Sequence, residues 1–85
     1  MPAITIYTKS TCPYCHAALD LLKSKGAAYE EISVEGNRAA QTAMAAKAFG
    51  RSTVPQIFIG GKHVGGCDDL YALDEAGKLD ALLAA

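Results

Sequence analysis

The chain has 85 residues, 51% of them hydrophobic, which is enough for one modest core and no more, so residues 1–85 read as a single domain. A net charge of -1 with 20% charged residues leaves no cationic excess to neutralise phosphates, and this argues against nucleic acid as a partner. The opening Met1-Pro2-Ala3-Ile4 lacks a secretory signal pattern and no apolar run could span a bilayer, so the expected setting is the cytoplasm, where three cysteines stay mostly reduced and any disulfide is transient.

Ala3-Ile4-Thr5-Ile6-Tyr7 is β-branched and aromatic and predicts a strand. Thr8 to Thr11 reads as a polar turn. A helix is expected from Pro13 to about Lys25, with Cys15, Ala18, Leu19 and Leu22 forming one apolar stripe. Pro13 suits its first position, where a missing N–H costs nothing, and Gly26 suits its stop. Tyr29 to Val34 predicts a second strand. Gly36-Asn37 opens a second helix, about Arg38 to Phe49, with Ala40, Met44, Ala45, Ala48 and Phe49 on its buried face. Gln56 to Ile59 and Lys62 to Val64 form a hairpin about Gly60-Gly61, a pair free to take the positive φ angles of a two-residue turn. A third helix follows from Asp68 to Ala76, with Asp68 and Asp69 at its favourable end for acids. Gly77 breaks it, and Leu79, Leu82 and Leu83 mark a last short helical turn. Tyr7, Tyr29 and Phe58 read as core and His63 as a solvated hairpin residue.

The order is β-α-β-α-β-β-α. The helix between the first two strands makes them parallel through a right-handed crossover, and the hairpin adds antiparallel pairs. The expected fold class is α/β, a mixed four-stranded sheet with helices on both faces.

Chemistry concentrates at Cys12-Pro13-Tyr14-Cys15, a C-x-x-C where the first strand hands over to the first helix. The spacing lets two sulfurs meet within one turn. Cys12 sits where unpaired N–H groups favour negative charge, and Lys9 can add a nearby cation. Cys15 lies on the apolar stripe, more buried and less ionised. That asymmetry assigns Cys12 to attack and Cys15 to resolve. A structural zinc site would want four ligands, and only Cys67, His16 and His63 remain, with no second C-x-x-C; no metal is expected.

Cys-Pro-Tyr-Cys after a strand, Thr53-Val54-Pro55 before a strand, and Gly65-Gly66-Cys67-Asp68-Asp69 before a helix together resemble the dithiol glutaredoxins, of the bacterial glutaredoxin 3-like type, within the thioredoxin-fold superfamily. The resemblance covers nearly the whole chain, in order. It implies strand order 2-1-3-4 and a glutathione-dependent thiol–disulfide oxidoreductase, with glutathione as co-substrate. It also implies a cis Val54-Pro55 bond, and a Val54 backbone that pairs with the glutathione cysteine like an added strand. Cys67 and Asp68 would take the γ-glutamyl end, through backbone N–H groups for its carboxylate and the Asp68 carboxylate for its ammonium. Lys9, assisted by Gln41 or Arg38, would meet the glycine carboxylate, and Tyr14 would pack on the ligand. Asp69 reads as a first-turn acid and the Cys67 side chain as a packed small hydrophobe. Implied partners are glutathionylated or disulfide-containing proteins, among them ribonucleotide reductase, met by a monomer. Two neighbouring readings stay open: a donor reduced by thioredoxin reductase, which Cys67-Asp68 disfavours, and an iron–sulfur carrier, which Pro13-Tyr14 disfavours.

Overall fold

A computed structural model describes residues 2–84. The chain runs β1 (Ile4–Thr8), α1 (Pro13–Ser24), β2 (Glu30–Ser33), α2 (Arg38–Lys47), β3 (Gln56–Ile59), β4 (Lys62–Gly65), α3 (Cys67–Glu75) and α4 (Leu79–Ala84). The four strands form one sheet in the order β2-β1-β3-β4. β1 pairs parallel with β2, Thr5 opposite Glu30 and Tyr7 opposite Ile32, and antiparallel with β3, Ile4 opposite Ile59 and Ile6 opposite Ile57. β3 and β4 form the antiparallel hairpin, with Gly60 and Gly61 at φ 61° and 80° in its turn.

Side-chain alternation along the strands divides the interior in two. Ile4, Ile6, Ile57 and Ile59 face α1, α3 and α4, where they meet Ala18, Leu22, Leu70 and Leu79. Tyr7 and Phe58 face the other way, onto Met44 of α2 and Ala48 just past its end, with Val34. Their rings meet edge to face, centroids 5.8 Å apart. Helices therefore cover both faces of the sheet. Lys25, just past α1, clamps the third and fourth helices to this layer through Asp74 (2.7 Å) and Asp80 (3.0 Å).

Local chemistry sets the helix ends. Pro13 holds the first turn of α1, and Gly26 follows its end at φ 68°. Asn37 caps α2 by accepting from the Ala40 N–H at 3.0 Å. The expected boundaries hold within a residue or two, with one instructive exception. Phe49 does not lie on the buried face of α2. The helix ends at Lys47, and Phe49 turns left-handed at φ 57°, which swings its ring off the helical stripe and leaves it 87% exposed. His63 also departs from expectation: it is half-buried, its ring lying on Phe58. None of the helices among the described residues is long and apolar enough to cross a membrane.

Candidate active site

The β1–α1 junction delivers Cys12 to the edge of a cleft. Cys12 is the N-cap of α1, in extended conformation with φ -96° and ψ 109°. Its N–H is tied to the Lys9 carbonyl at 3.2 Å, and its own carbonyl accepts from Cys15 and His16. The Cys12 sulfur accepts the Cys15 N–H at 3.3 Å, so a side chain that could carry charge occupies the place of an ordinary helix cap. His16, one turn on, bonds through Nε2 to the Ser10 carbonyl at 2.8 Å and braces the loop that carries the cysteine.

Across from this helix end lies a cavity of about 310 Å³. Tyr14 of α1 forms one wall. The segment entering β3 supplies Arg51, Thr53, Val54 and Pro55, and the start of α3 supplies Gly66, Cys67, Asp68 and Asp69. The Cys12 thiol meets this cavity through Val54, whose carbonyl it faces at 3.7 Å. The Val54-Pro55 bond is cis.

The three thiols are free and differ in environment. Cys12 is partly exposed. Cys15 is 1% exposed, and its pKa is pushed up to about 12, by burial first and by the adjacent Cys12 after it. The Cys67 thiol is also raised, by burial first and then by the charge of Asp68. One sulfur is thus open to the cleft while its partner one turn away is held as a neutral thiol. That pairing suits an exchange in which the outer sulfur reacts first and the inner one closes on it.

At the opposite wall, Asp69 caps α3 by accepting from the Gly66 N–H at 2.8 Å. Arg51 reaches the same carboxylate oxygen at 3.3 Å. These contacts, the Gly66 N–H foremost, hold the Asp69 carboxyl below the usual carboxylate range. The cleft therefore combines a guanidinium, a helix N-terminus and an exposed acid, Asp68, a lining suited to a small zwitterion.

Tyr14, Thr53, Val54, Pro55, Cys67 and Asp68 come together as lining, with Cys12 at the rim. Lys9 and Gln41 lie outside it. Lys9 is half-buried in the β1–α1 loop, and Gln41 donates its side-chain amide to the Ser52 carbonyl at 2.9 Å, steadying the segment that leads to Thr53. Arg38 is exposed at the start of α2. Arg51 and Gly66 were not expected in the lining. The available signal for Arg51 was a cation two residues ahead of Thr53-Val54-Pro55. Among the described residues, no cluster of three or more His, Cys, Asp or Glu side chains is placed to hold a metal.

The glutaredoxin family model matches residues 4–64, from β1 into β4. The chain belongs to the glutaredoxin family. Glutaredoxin 3 of Escherichia coli is 58% identical over 83 residues, covering 98% of this chain and 99% of that protein. A glutaredoxin of Pseudomonas aeruginosa is 55% identical over 85 residues, covering both chains fully. Among solved structures, the buckwheat glutaredoxin–glutathione complex superposes with a TM-score of 0.89 at 35% identity, covering 98% of this chain and 77% of that one. The Brucella melitensis glutaredoxin superposes at 0.86 with 52% identity, covering 98% and 89%. This glutaredoxin is thus an enzyme, a glutathione-dependent thiol–disulfide oxidoreductase with a Cys12–Cys15 pair, and its partners are glutathione and glutathionylated or disulfide-containing proteins.

Proposed function

We propose that Cys12 is the attacking sulfur, that Cys15 resolves, and that glutathione lies along the cleft between α1 and α3. The observation that carries this reading is the Cys12 sulfur itself, which accepts an N–H at the head of α1 while facing the Val54 carbonyl on the cleft wall.

In the first step the Cys12 thiolate attacks the glutathione sulfur of a mixed disulfide. A Cys12–glutathione bond forms, the bond to the protein sulfur breaks, and the protein leaves as a thiolate that takes a proton from water. A second glutathione thiolate then attacks the glutathione sulfur on Cys12, releases oxidised glutathione and restores the Cys12 thiolate. On a protein disulfide, Cys12 forms the mixed bond and Cys15, losing its proton, attacks Cys12. The substrate leaves as a dithiol and an intramolecular disulfide remains.

In this reading Val54 pairs its backbone with the glutathione cysteine, beside Thr53 and Pro55. Cys67 and Asp68 take the γ-glutamyl end at the head of α3, and Tyr14 packs against the ligand. Lys9, assisted by Gln41 or Arg38, takes the glycine carboxylate, while Arg51, paired with Asp69, borders the γ-glutamyl end at the head of α3. The whole chain acts as one domain and as a monomer, since all these groups come from a single chain. A reducing cytoplasmic setting suits a protein that works through free thiols. Ribonucleotide reductase, which builds a disulfide at each turnover, is the kind of dithiol-cycling enzyme it would serve.

Substitution separates the two sulfurs. Cys12→Ser removes all activity. Cys15→Ser keeps the reduction of a glutathionylated peptide within about threefold and loses reduction of a protein disulfide by at least roughly a hundredfold. Equal loss of both activities in the two variants would overturn the assignment of roles.

A further inference from the structure

Gln56, at the start of β3, is a fully buried polar residue outside the cleft lining, and every polar atom of its side-chain amide is used. Its Nε2 donates to the Thr53 carbonyl oxygen at 3.0 Å and to Thr53 Oγ1 at 3.3 Å. Its Oε1 is 2.7 Å from His63 Nε2. These partners fix the amide in one sense. A carbonyl oxygen can only accept, so the amide nitrogen must face Thr53. The amide oxygen then faces His63, and His63 must supply the hydrogen.

The His63 ring is itself held in place. It is half-buried, with the Phe58 ring 5.1 Å away on one side and the Phe49 ring 5.6 Å away on another. A chain of contacts therefore runs from the hairpin, through the buried amide, to a residue of the cleft wall. Its last link has a directional consequence. The Thr53 hydroxyl has one hydrogen and two lone pairs, and the Gln56 NH2 group can only donate to it. One lone pair is occupied, and the hydrogen cannot be spent on Gln56. It is left to turn toward the cleft.

We infer that Gln56 and His63 are positioning residues that present the Thr53 hydroxyl to the cleft as a hydrogen-bond donor for an acceptor oxygen of glutathione. The inference rests on the proposed placement of glutathione beside Thr53. It adds a device that discriminates by chemistry: a cleft hydroxyl set to donate favours carboxylate and carbonyl oxygens over ammonium groups at that point. It also gives a purpose to a buried amide on a strand whose other inward residues, Ile57, Phe58 and Ile59, are apolar.

The test is a comparison of KM and kcat for a glutathionylated peptide across Thr53→Val, Gln56→Leu and the double variant. Each single change is expected to raise KM about three- to tenfold, the effect of one lost hydrogen bond, with kcat within about twofold. The double variant should be no worse than the poorer single one, because both remove the same interaction. His63→Leu should raise KM about two- to fivefold, and His63→Gln, which can still donate to Gln56, should restore it. Multiplying effects in the double variant would overturn the inference, as would an unchanged KM in Gln56→Leu beside a raised KM in Thr53→Val. A silent Thr53→Val would instead remove the placement of glutathione at Thr53 and the inference with it. If Gln56→Leu does not fold, the His63 pair decides: an unchanged KM in folded His63→Leu overturns the inference.

Discussion

Two helices point their N-termini at the same cleft and are capped in opposite ways. At α3 the cap is a carboxylate: Asp69 accepts the Gly66 N–H, and Asp68 and Asp69 place two acids in the first turn. At α1 the cap is a sulfur. Cys12 accepts the Cys15 N–H, and the first turn contains no acid at all. A fixed carboxylate satisfies the helix end permanently and contributes stability. A neutral thiol does so only weakly and a thiolate strongly, so the positive end of α1 stays available to a charge that comes and goes with the reaction. The difference teaches that one structural motif serves the fold on one wall and the chemistry on the other.

The largest effect that sharpens this contrast concerns the sulfur kept out of it. Burial first, and then the neighbouring Cys12, push the Cys15 thiol up to about 12, so it stays protonated at pH 8. Iodoacetamide at that pH should label Cys12 first, and should label Cys15 at least about a thousandfold more slowly in the folded protein than in denaturant, read by peptide mass spectrometry. Comparable Cys15 labelling in both conditions would show that burial does not set the division of labour.

Next in size is the carboxylate cap. Asp69→Ala should cost about 1 kcal/mol in a urea melt, chiefly through the lost contact with Gly66 N–H, since the half-exposed Arg51 pair adds little. Because the folded state holds the Asp69 carboxyl below its ordinary range, its contribution is complete above about pH 4 and is lost as the pH falls through the lowered value. The gap between wild type and variant should therefore narrow from pH 5 to pH 2. A gap that does not change with pH would mean that the cap works by shape and not by charge.

The smallest effect tests the empty first turn of α1. His16→Glu places an acid beside the sulfur's own helix end. It should slow alkylation of Cys12 at pH 7 by about two- to fivefold, the usual worth of a charge at a helix terminus, and the slowing should shrink in high salt. Unchanged alkylation would imply that the α1 terminus does little for the sulfur.

Much of this architecture was legible in order along the chain, because the signals are local. The β-branched and aromatic run Ala3-Ile4-Thr5-Ile6-Tyr7 marked a strand, and Pro13 with Gly26 bracketed α1. The C-x-x-C placed at a strand–helix junction marked the reactive end. What escaped depends on contacts distant in sequence or on a single backbone turn. Phe49 continues the apolar stripe of α2 on paper, yet one left-handed residue takes it out of the helix. Arg51 enters the cleft because it reaches Asp69, eighteen positions on, a meeting that only the folded sheet arranges. His63 looked like a solvated residue near a turn. Strand register sets it opposite Phe58, on the face where Gln56 also points.

The sheet order carries a consequence for how the molecule is made. β1 precedes the other three strands in sequence but lies in the middle of the sheet, with β2 on one side and β3 on the other. Its parallel neighbour arrives within about thirty residues, whereas its antiparallel neighbour begins only at Gln56. Without β3 one edge of β1 would leave its backbone N–H and C=O groups unpaired, an invitation to wrong partners. β3 both completes the hydrogen bonding of β1 and places Thr53-Val54-Pro55 beside Cys12, so the strand pairing that closes the sheet also builds one wall of the reactive centre.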